Sequence, residues 1–398
     1  MFLDYTDEQR ALQKELREYF AALLTPEVRE ELGPPGEGSP VYRRIVRQMG
    51  QDGWLGVGWP KEYGGQGRGV LDQFVFFDEV QRAGAPFPFV TINTVGPTIM
   101  TYGSEEQKQR FLPGILGGET HFAIGYTEPE AGTDLASLRT RAVDDGDEWV
   151  INGNKVFTSG ANQADYIWLA CRTDPEAPKH KGISIIIVPT SSPGFKCTPI
   201  VTVGSVVTQA SYYDDVRVPK ENLVGDVNAG WRLITNQLNH ERVGLAAMAG
   251  LTQRLYDDML AWCRETPSGE IDAARQPLRM IDVPWVQLDL AKAHAKIEAM
   301  RLLNWRMAAA VAGDTLTPTD ASASKVFGVE TQVEAYRIFL GILGALGYLP
   351  HGSAGAVLRG DVERAARSAQ INTFGGGVVE VLREIVATTG LQMTRSGR

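Results

Sequence analysis

Two nearby stretches, Phe122-Ala-Ile-Gly-Tyr-Thr-Glu-Pro-Glu-Ala-Gly-Thr-Asp134 and Asn152-Gly-Asn-Lys-Val-Phe-Thr-Ser-Gly160, hold the most informative chemistry in this chain. Together they offer a glycine turn whose backbone can come close to a ligand. They add hydroxyls on Thr127, Thr133, Thr158 and Ser159 and the aromatic faces of Tyr126 and Phe157. That mixture suits a planar ring system with polar edges. Singly, each residue has a plainer use, since threonines cap turns and phenylalanine fills cores.

Outward from these stretches the texture changes twice. Residues 121–230 alternate short β-rich runs, such as Trp149-Val150-Ile151, Tyr166 to Leu169 and Ile183 to Val188, with Gly, Asp, Asn and Pro turns. Before them, residues 1–120 read as helical: Thr6 is a candidate N-cap, and Leu12, Leu16, Tyr19 and Phe20 recur at helical spacing. Arg43 to Gly50, Asp72 to Ala83, Val90 to Tyr102 and Glu105 to Leu116 continue the helical character, whereas Gly53 to Gly67 carries too many glycines for a regular element. The helical period returns over residues 231–398, in Trp231 to Thr266, Val283 to Gly313, Lys325 to Tyr348 and Val378 to Ala387. Helix, sheet, helix gives an α+β chain of three regions with room for a cofactor between layers.

Composition removes several classes. The 398 residues carry 39 basic and 48 acidic side chains, a net charge of -9, with no basic run, so nucleic acid is not an expected partner. Cys171, Cys197 and Cys263 are widely spaced and form no CxxC pair, which predicts a reducing compartment and no metal site. The acidic start lacks the pattern of a signal peptide, and no apolar run reaches the ~18 residues of a span. A cytoplasmic location without membrane partners is the expectation.

The two opening stretches resemble the acyl-CoA dehydrogenase family, whose signature has the form Thr-Glu-Pro-x-Ala-Gly-Ser/Thr-Asp. Weaker pieces follow in family order: Gly53-Trp-Leu-Gly56, Pro60-Lys-Glu-Tyr-Gly-Gly65, Gly103 to Lys108, Phe111-Leu-Pro113, Asp215-Val-Arg-Val-Pro219 and Asn222-Leu-Val-Gly225. The resemblance implies an N-terminal helical domain, a central β-barrel or sandwich and a C-terminal four-helix bundle. It also implies FAD as cofactor, an acyl-CoA substrate oxidised to the trans-2-enoyl-CoA, and an electron-transfer flavoprotein as acceptor. Carried over by position, Tyr126 and Thr127 lie on the pyrimidine side of the flavin and Gly132 in the cofactor turn. Thr133 falls between the pyrophosphate and the CoA chain. Phe157 walls the ring, and Thr158 and Ser159 follow it, the latter reaching the N5 side.

Removing the α proton of a thioester needs a carboxylate poised near working pH. Members of the family take this base either from a C-terminal loop or from a helix. Here the loop reads Phe374-Gly-Gly-Gly-Val-Val-Glu-Val-Leu-Arg383, and the base position falls on Gly376. The helical position, in Gly230-Trp-Arg-Leu-Ile-Thr-Asn-Gln-Leu-Asn-His-Glu-Arg-Val-Gly244, falls on Glu241, which the resemblance makes the catalytic base. Glu380 is the alternative carboxylate, expected on a helix surface. Trp231, Asn239, Arg242, Thr133 and Gly376 match substrate-contacting positions.

The family's neighbour-facing segments are degraded. Ala273 to Arg279 offers Arg275 or Arg279 but no Phe-Gly, Gly341 to Gly347 has Gly in place of Gln, and Val378 replaces a Thr. A homologous partner chain in an α2β2 heterotetramer is therefore expected to complete the flavin site. The whole pattern resembles the bacterial branch that pairs unlike chains to oxidise steroid side-chain thioesters. Two other readings stay open: a non-catalytic subunit completing a partner's site, and an oxidase that passes electrons to O2.

Overall fold

The computed structural model describes residues 4–33, 39–235, 237 and 249–394. Helix α1, Asp7–Leu23, opens with a capping box: Gln9 N–H donates to the Thr6 hydroxyl and Thr6 N–H to the Gln9 side chain. It buries Leu12, Leu16 and Phe20 on one stripe. The helix ends at its C-cap, Leu24. Thr25 caps a new helix, α2 (Pro26–Leu32), with proline at its first position, where a missing N–H costs nothing.

Helices α3 (Pro40–Gln51), α4 (Val70–Ala83), α5 (Gly96–Tyr102) and α6 (Glu105–Leu116) complete the N-terminal region. Residues 53–67 form short 3-10 turns, Trp54–Gly56 and Lys61–Tyr63, as the glycine content leads one to expect. The expected helix over Val90 to Tyr102 is present but contains a π-turn at Thr91–Val95 before α5.

The central strands form one connected sheet. Strands β2 (Arg141–Asp145), β3 (Glu148–Lys155), β4 (Tyr166–Arg172), β5 (Ile183–Pro189), β6 (Phe195–Val201), β7 (Val207–Pro219) and β8 (Leu223–Val224) run in the order β6-β7-β3-β2-β4-β5-β8. Strand β1, Phe122–Gly125, lies parallel to β4, with Phe122 opposite Tyr166 and Gly125 opposite Leu169. Further along the same strand, Arg141 of β2 pairs with Arg172. The backbone thus leaves the sheet after Gly125 and rejoins it at Arg141, which makes residues 126–140 an excursion from the sheet surface.

After β8 a helix begins at 230–235. Its expected continuation through residue 236 and residues 238–248 lies outside the described residues. Helices α7 (Ala249–Glu265), α8 (Pro284–Ala312) and α9 (Pro318–Leu343) pack through Leu255, Met259, Leu290, Ile297, Tyr336 and Phe339. Helix α9 starts before the expected Lys325, behind the cap of Thr317, and ends at Gly344, whose φ of +57° stops it. The shorter α10 (Asp361–Ser368) and α11 (Val379–Ile385) follow. A hairpin of β9 (Pro267–Ile271) and β10 (Pro277–Arg279) was not foreseen, because its residues are mostly exposed and show no apolar alternation.

Candidate active site

The excursion from the sheet carries the first motif, and a buried ion pair closes it. Lys155, at the end of β3, shares the inward parity of Trp149 and Ile151 and is fully buried. Its Nζ donates to a Glu128 carboxylate oxygen at 2.8 Å and to the Tyr126 carbonyl at 3.0 Å. Glu128 also accepts the backbone N–H groups of Arg139, at 2.7 Å, and Thr140, at 2.8 Å. Burial pushes the Glu128 carboxyl up, but Lys155 and these donors outweigh it and hold it below its ordinary range. One carboxylate therefore ties both ends of the loop to the strand beneath.

The second motif joins the first through Val156 N–H, which donates to the Thr127 carbonyl at 2.9 Å. Phe157 then takes a left-handed φ of +59° and is 59% exposed. For an aromatic residue both features are unfavourable, which is the pattern of a residue held for contact rather than for folding. Ser159 is exposed beside it, with its hydroxyl 2.9 Å from that of Thr208. Gly132 and Thr133 are exposed across the excursion, and a Cβ added at Gly132 would meet only the Thr127 methyl, at 4.0 Å. These residues leave an open cradle with one aromatic wall and hydroxyls on its rim.

Thr158 behaves differently from its neighbours. It is fully buried, its hydroxyl lies 3.1 Å from that of Ser211, and its N–H donates to the Gln209 carbonyl at 2.9 Å. Its side chain therefore belongs to the sheet, and only its backbone lies near the cradle.

Tyr126 is held from two sides. Trp168 Nε1 donates to the Tyr126 hydroxyl at 3.2 Å, and that hydroxyl donates to Gln237 Oε1. Gln237, 1% exposed, sits on the helix that begins at Gly230. Glycine at 230 has a steric cause, because a Cβ there would lie 2.8 Å from both the Ile183 carbonyl oxygen and the Ser184 Cα. Trp231, next along, is half-buried, and its ring meets that of His180 edge to face, with centroids 4.8 Å apart. Asn239, Glu241 and Arg242 lie outside the described residues.

In the C-terminal loop, Gly376 and Gly377 have φ of +66° and +117°. Lys325 Nζ donates to the Gly375 carbonyl at 2.5 Å and to the Gly377 carbonyl at 3.1 Å, so a cation anchors this glycine loop. Glu380 is exposed on α11. Of the candidate neighbour-facing arginines, Arg279 donates to the Arg264 and Glu265 carbonyls and so caps α7, while Arg275 is exposed in the hairpin turn. Reasoning from sequence missed Glu128, Lys155, Trp168 and Gln237. A lysine on the inward parity of a strand was the one signal that could have found the ion pair.

An extended cradle on a β domain between two helical regions defines the class. The chain belongs to the acyl-CoA dehydrogenase family and is an oxidoreductase of that family: the N-terminal, middle and C-terminal domains of acyl-CoA dehydrogenase match residues 6–119, 123–216 and 228–391. Among its relatives, acyl-CoA dehydrogenase FadE26 of Mycobacterium tuberculosis is 52% identical, covering 100% of each chain. Two solved structures are similar over 100% of both chains. One is a Tcur3481-Tcur3483 steroid acyl-CoA dehydrogenase, 59% identical with a TM-score of 0.93. The other is the ChsE4-ChsE5 complex from Mycobacterium tuberculosis, 52% identical with a TM-score of 0.91. No described helix is long and apolar enough to cross a membrane.

Proposed function

We propose that this chain is the ring-holding, base-bearing subunit of an FAD-dependent acyl-CoA dehydrogenase that converts a bulky, steroid-type acyl-CoA to its trans-2-enoyl thioester. The observation that carries this reading is the cradle, in which an exposed aromatic at left-handed φ and an open glycine turn belong to two stretches joined by the Val156–Thr127 hydrogen bond. A planar cofactor would satisfy both, so the residues present fit the flavin ring. Phe157 would wall it, Ser159 and the Tyr126–Thr127 turn would meet its polar edge, and Gly132 would let it approach. Bound there, FAD supplies a hydride acceptor for the β carbon.

The chain's own task is the proton. Glu241 would take it from the α carbon, and Arg242, Asn239, Trp231 and Thr133 would hold the CoA arm. A loop of three glycines anchored by Lys325 offers no competing carboxylate and little bulk, which suits a wide acyl group. The identities to steroid-type complexes favour that substrate class.

A homologous partner chain fits the exposed apolar surface of the C-terminal region. Tyr348, 73% exposed, and Leu346 lie at the degraded 341–347 segment, Ile371 and Phe374 precede the glycine loop, and Trp285 and Leu288 stand out on α8. These side chains offer apolar contact for such a partner. An electron-transfer flavoprotein is the proposed acceptor. The test is Glu241→Gln in the chain co-expressed with its partner, assayed on steroid side-chain CoA thioesters. Turnover should vanish while FAD is retained; undiminished turnover would sink the assignment of the base and favour a non-catalytic subunit.

A further inference from the structure

The hydrogen bonds around Tyr126 have a fixed direction. Indole Nε1 can only donate, so the Tyr126 hydroxyl accepts from Trp168 and passes its own proton to Gln237 Oε1. This orients the Gln237 amide and leaves Nε2, with its two N–H donors, buried and without a hydrogen-bond partner among the described residues. A buried donor with no acceptor is unfavourable and rare in a native structure. Two more polar groups share this condition, Asn93 Nδ2 and Thr94 Oγ1, in the π-turn Thr91–Val95. Ile92 and Val95 of that turn belong to the same apolar cluster as Trp168, Leu233 and Ile234, against which Tyr126 packs. Such π-turns recur at functional sites.

On the reading above, Gln237 precedes the proposed base, Glu241, by four residues in the sequence. The CoA portion, with its charged phosphates, must run outward to solvent. The buried end of the site therefore receives the acyl tail. A plain hydrocarbon tail would leave the Gln237 amide unsatisfied, whereas a tail bearing oxygen would complete it.

We propose that Gln237 is a specificity-determining residue whose amide N–H donates to a ketone or hydroxyl oxygen on the acyl group.

The test uses the co-expressed complex and CoA thioesters of one alicyclic frame, without oxygen or with a single ketone or hydroxyl moved around it. Binding is read by calorimetry, and KM and kcat by turnover. Wild type should favour one oxygenated member by about tenfold or more, in Kd and KM rather than kcat. Gln237→Met, of similar volume, should abolish that preference, and Gln237→Glu should shift it from the ketone toward the hydroxyl, which can donate. Equal binding of all members by wild type, as expected if a water fills the site, overturns the proposal. So does a preference that survives in Gln237→Met. Selective binding without dehydrogenation would instead overturn the proposed function and leave the role of Gln237 standing.

Discussion

Lys155 and Glu128 form a buried ion pair, 2.8 Å apart, that connects the end of a core strand to the loop carrying the flavin-type motif. The lysine side chain is fully buried and that of the glutamate 8% exposed, so neither charge has water to fall back on. Nearly all the capacity of both groups is used, by two carbonyl or carboxylate oxygens on one side and two backbone N–H groups on the other. Such a pair adds little net stability compared with an apolar core, but losing one member is costly. Its value here is conformational, since it fixes where residues 126–140 leave and re-enter the sheet.

Lys155→Met should therefore destabilise the chain by about 3–5 kcal/mol, by stranding the Glu128 carboxylate. In that background Glu128→Gln should cost less than it does in wild type. Denaturant midpoints of the four proteins in the cycle measure the coupling, and additive costs would show that the pair is not a unit.

Asp78 on α4 predicts a pH dependence. Burial, and then the neighbouring Glu79 carboxylate, push it up from 3.8 to about 7, against the pull of Arg82, Arg301 and Arg17. Between pH 3.8 and about 7 the folded state binds a proton that the unfolded state has released. This group's contribution to stability thus falls as pH rises through that window and levels off above it. Asp78→Asn should raise the melting temperature at pH 8 and narrow its advantage toward pH 4.5. An equal change at both pH values would disprove the titration.

Gly230→Ala places a methyl 2.8 Å from the Ile183 carbonyl and Ser184, forcing the start of the helix off β5. A loss of about 1–3 kcal/mol is expected, with weaker thioester binding because Gln237 moves with that helix. Unchanged unfolding within ~0.5 kcal/mol would show that the strand yields freely.

Flavin content tests whether a partner chain is needed to complete the proposed site. Expressed alone, the chain should hold well under one FAD per polypeptide; with its homologous partner, two per four chains. One FAD per chain in the lone protein, measured by absorbance after gel filtration, would contradict the heterotetramer.

By itself the sequence determined the family and the order helix, sheet, helix, because each rests on local chemistry. Glycine turns, caps such as Thr6 and Gln9, and the period of apolar residues need only a few neighbours to be read. Tertiary structure decided how those residues are used. That Thr158 turns into the sheet while Phe157 turns out depends on strand β7, some fifty residues away in the chain. That Glu128 meets Lys155, and that Tyr126 joins Trp168 to Gln237, depends on three elements converging, which no local pattern records. Burial then gives these contacts their weight, since the same polar groups in water would have cost almost nothing to leave unpaired.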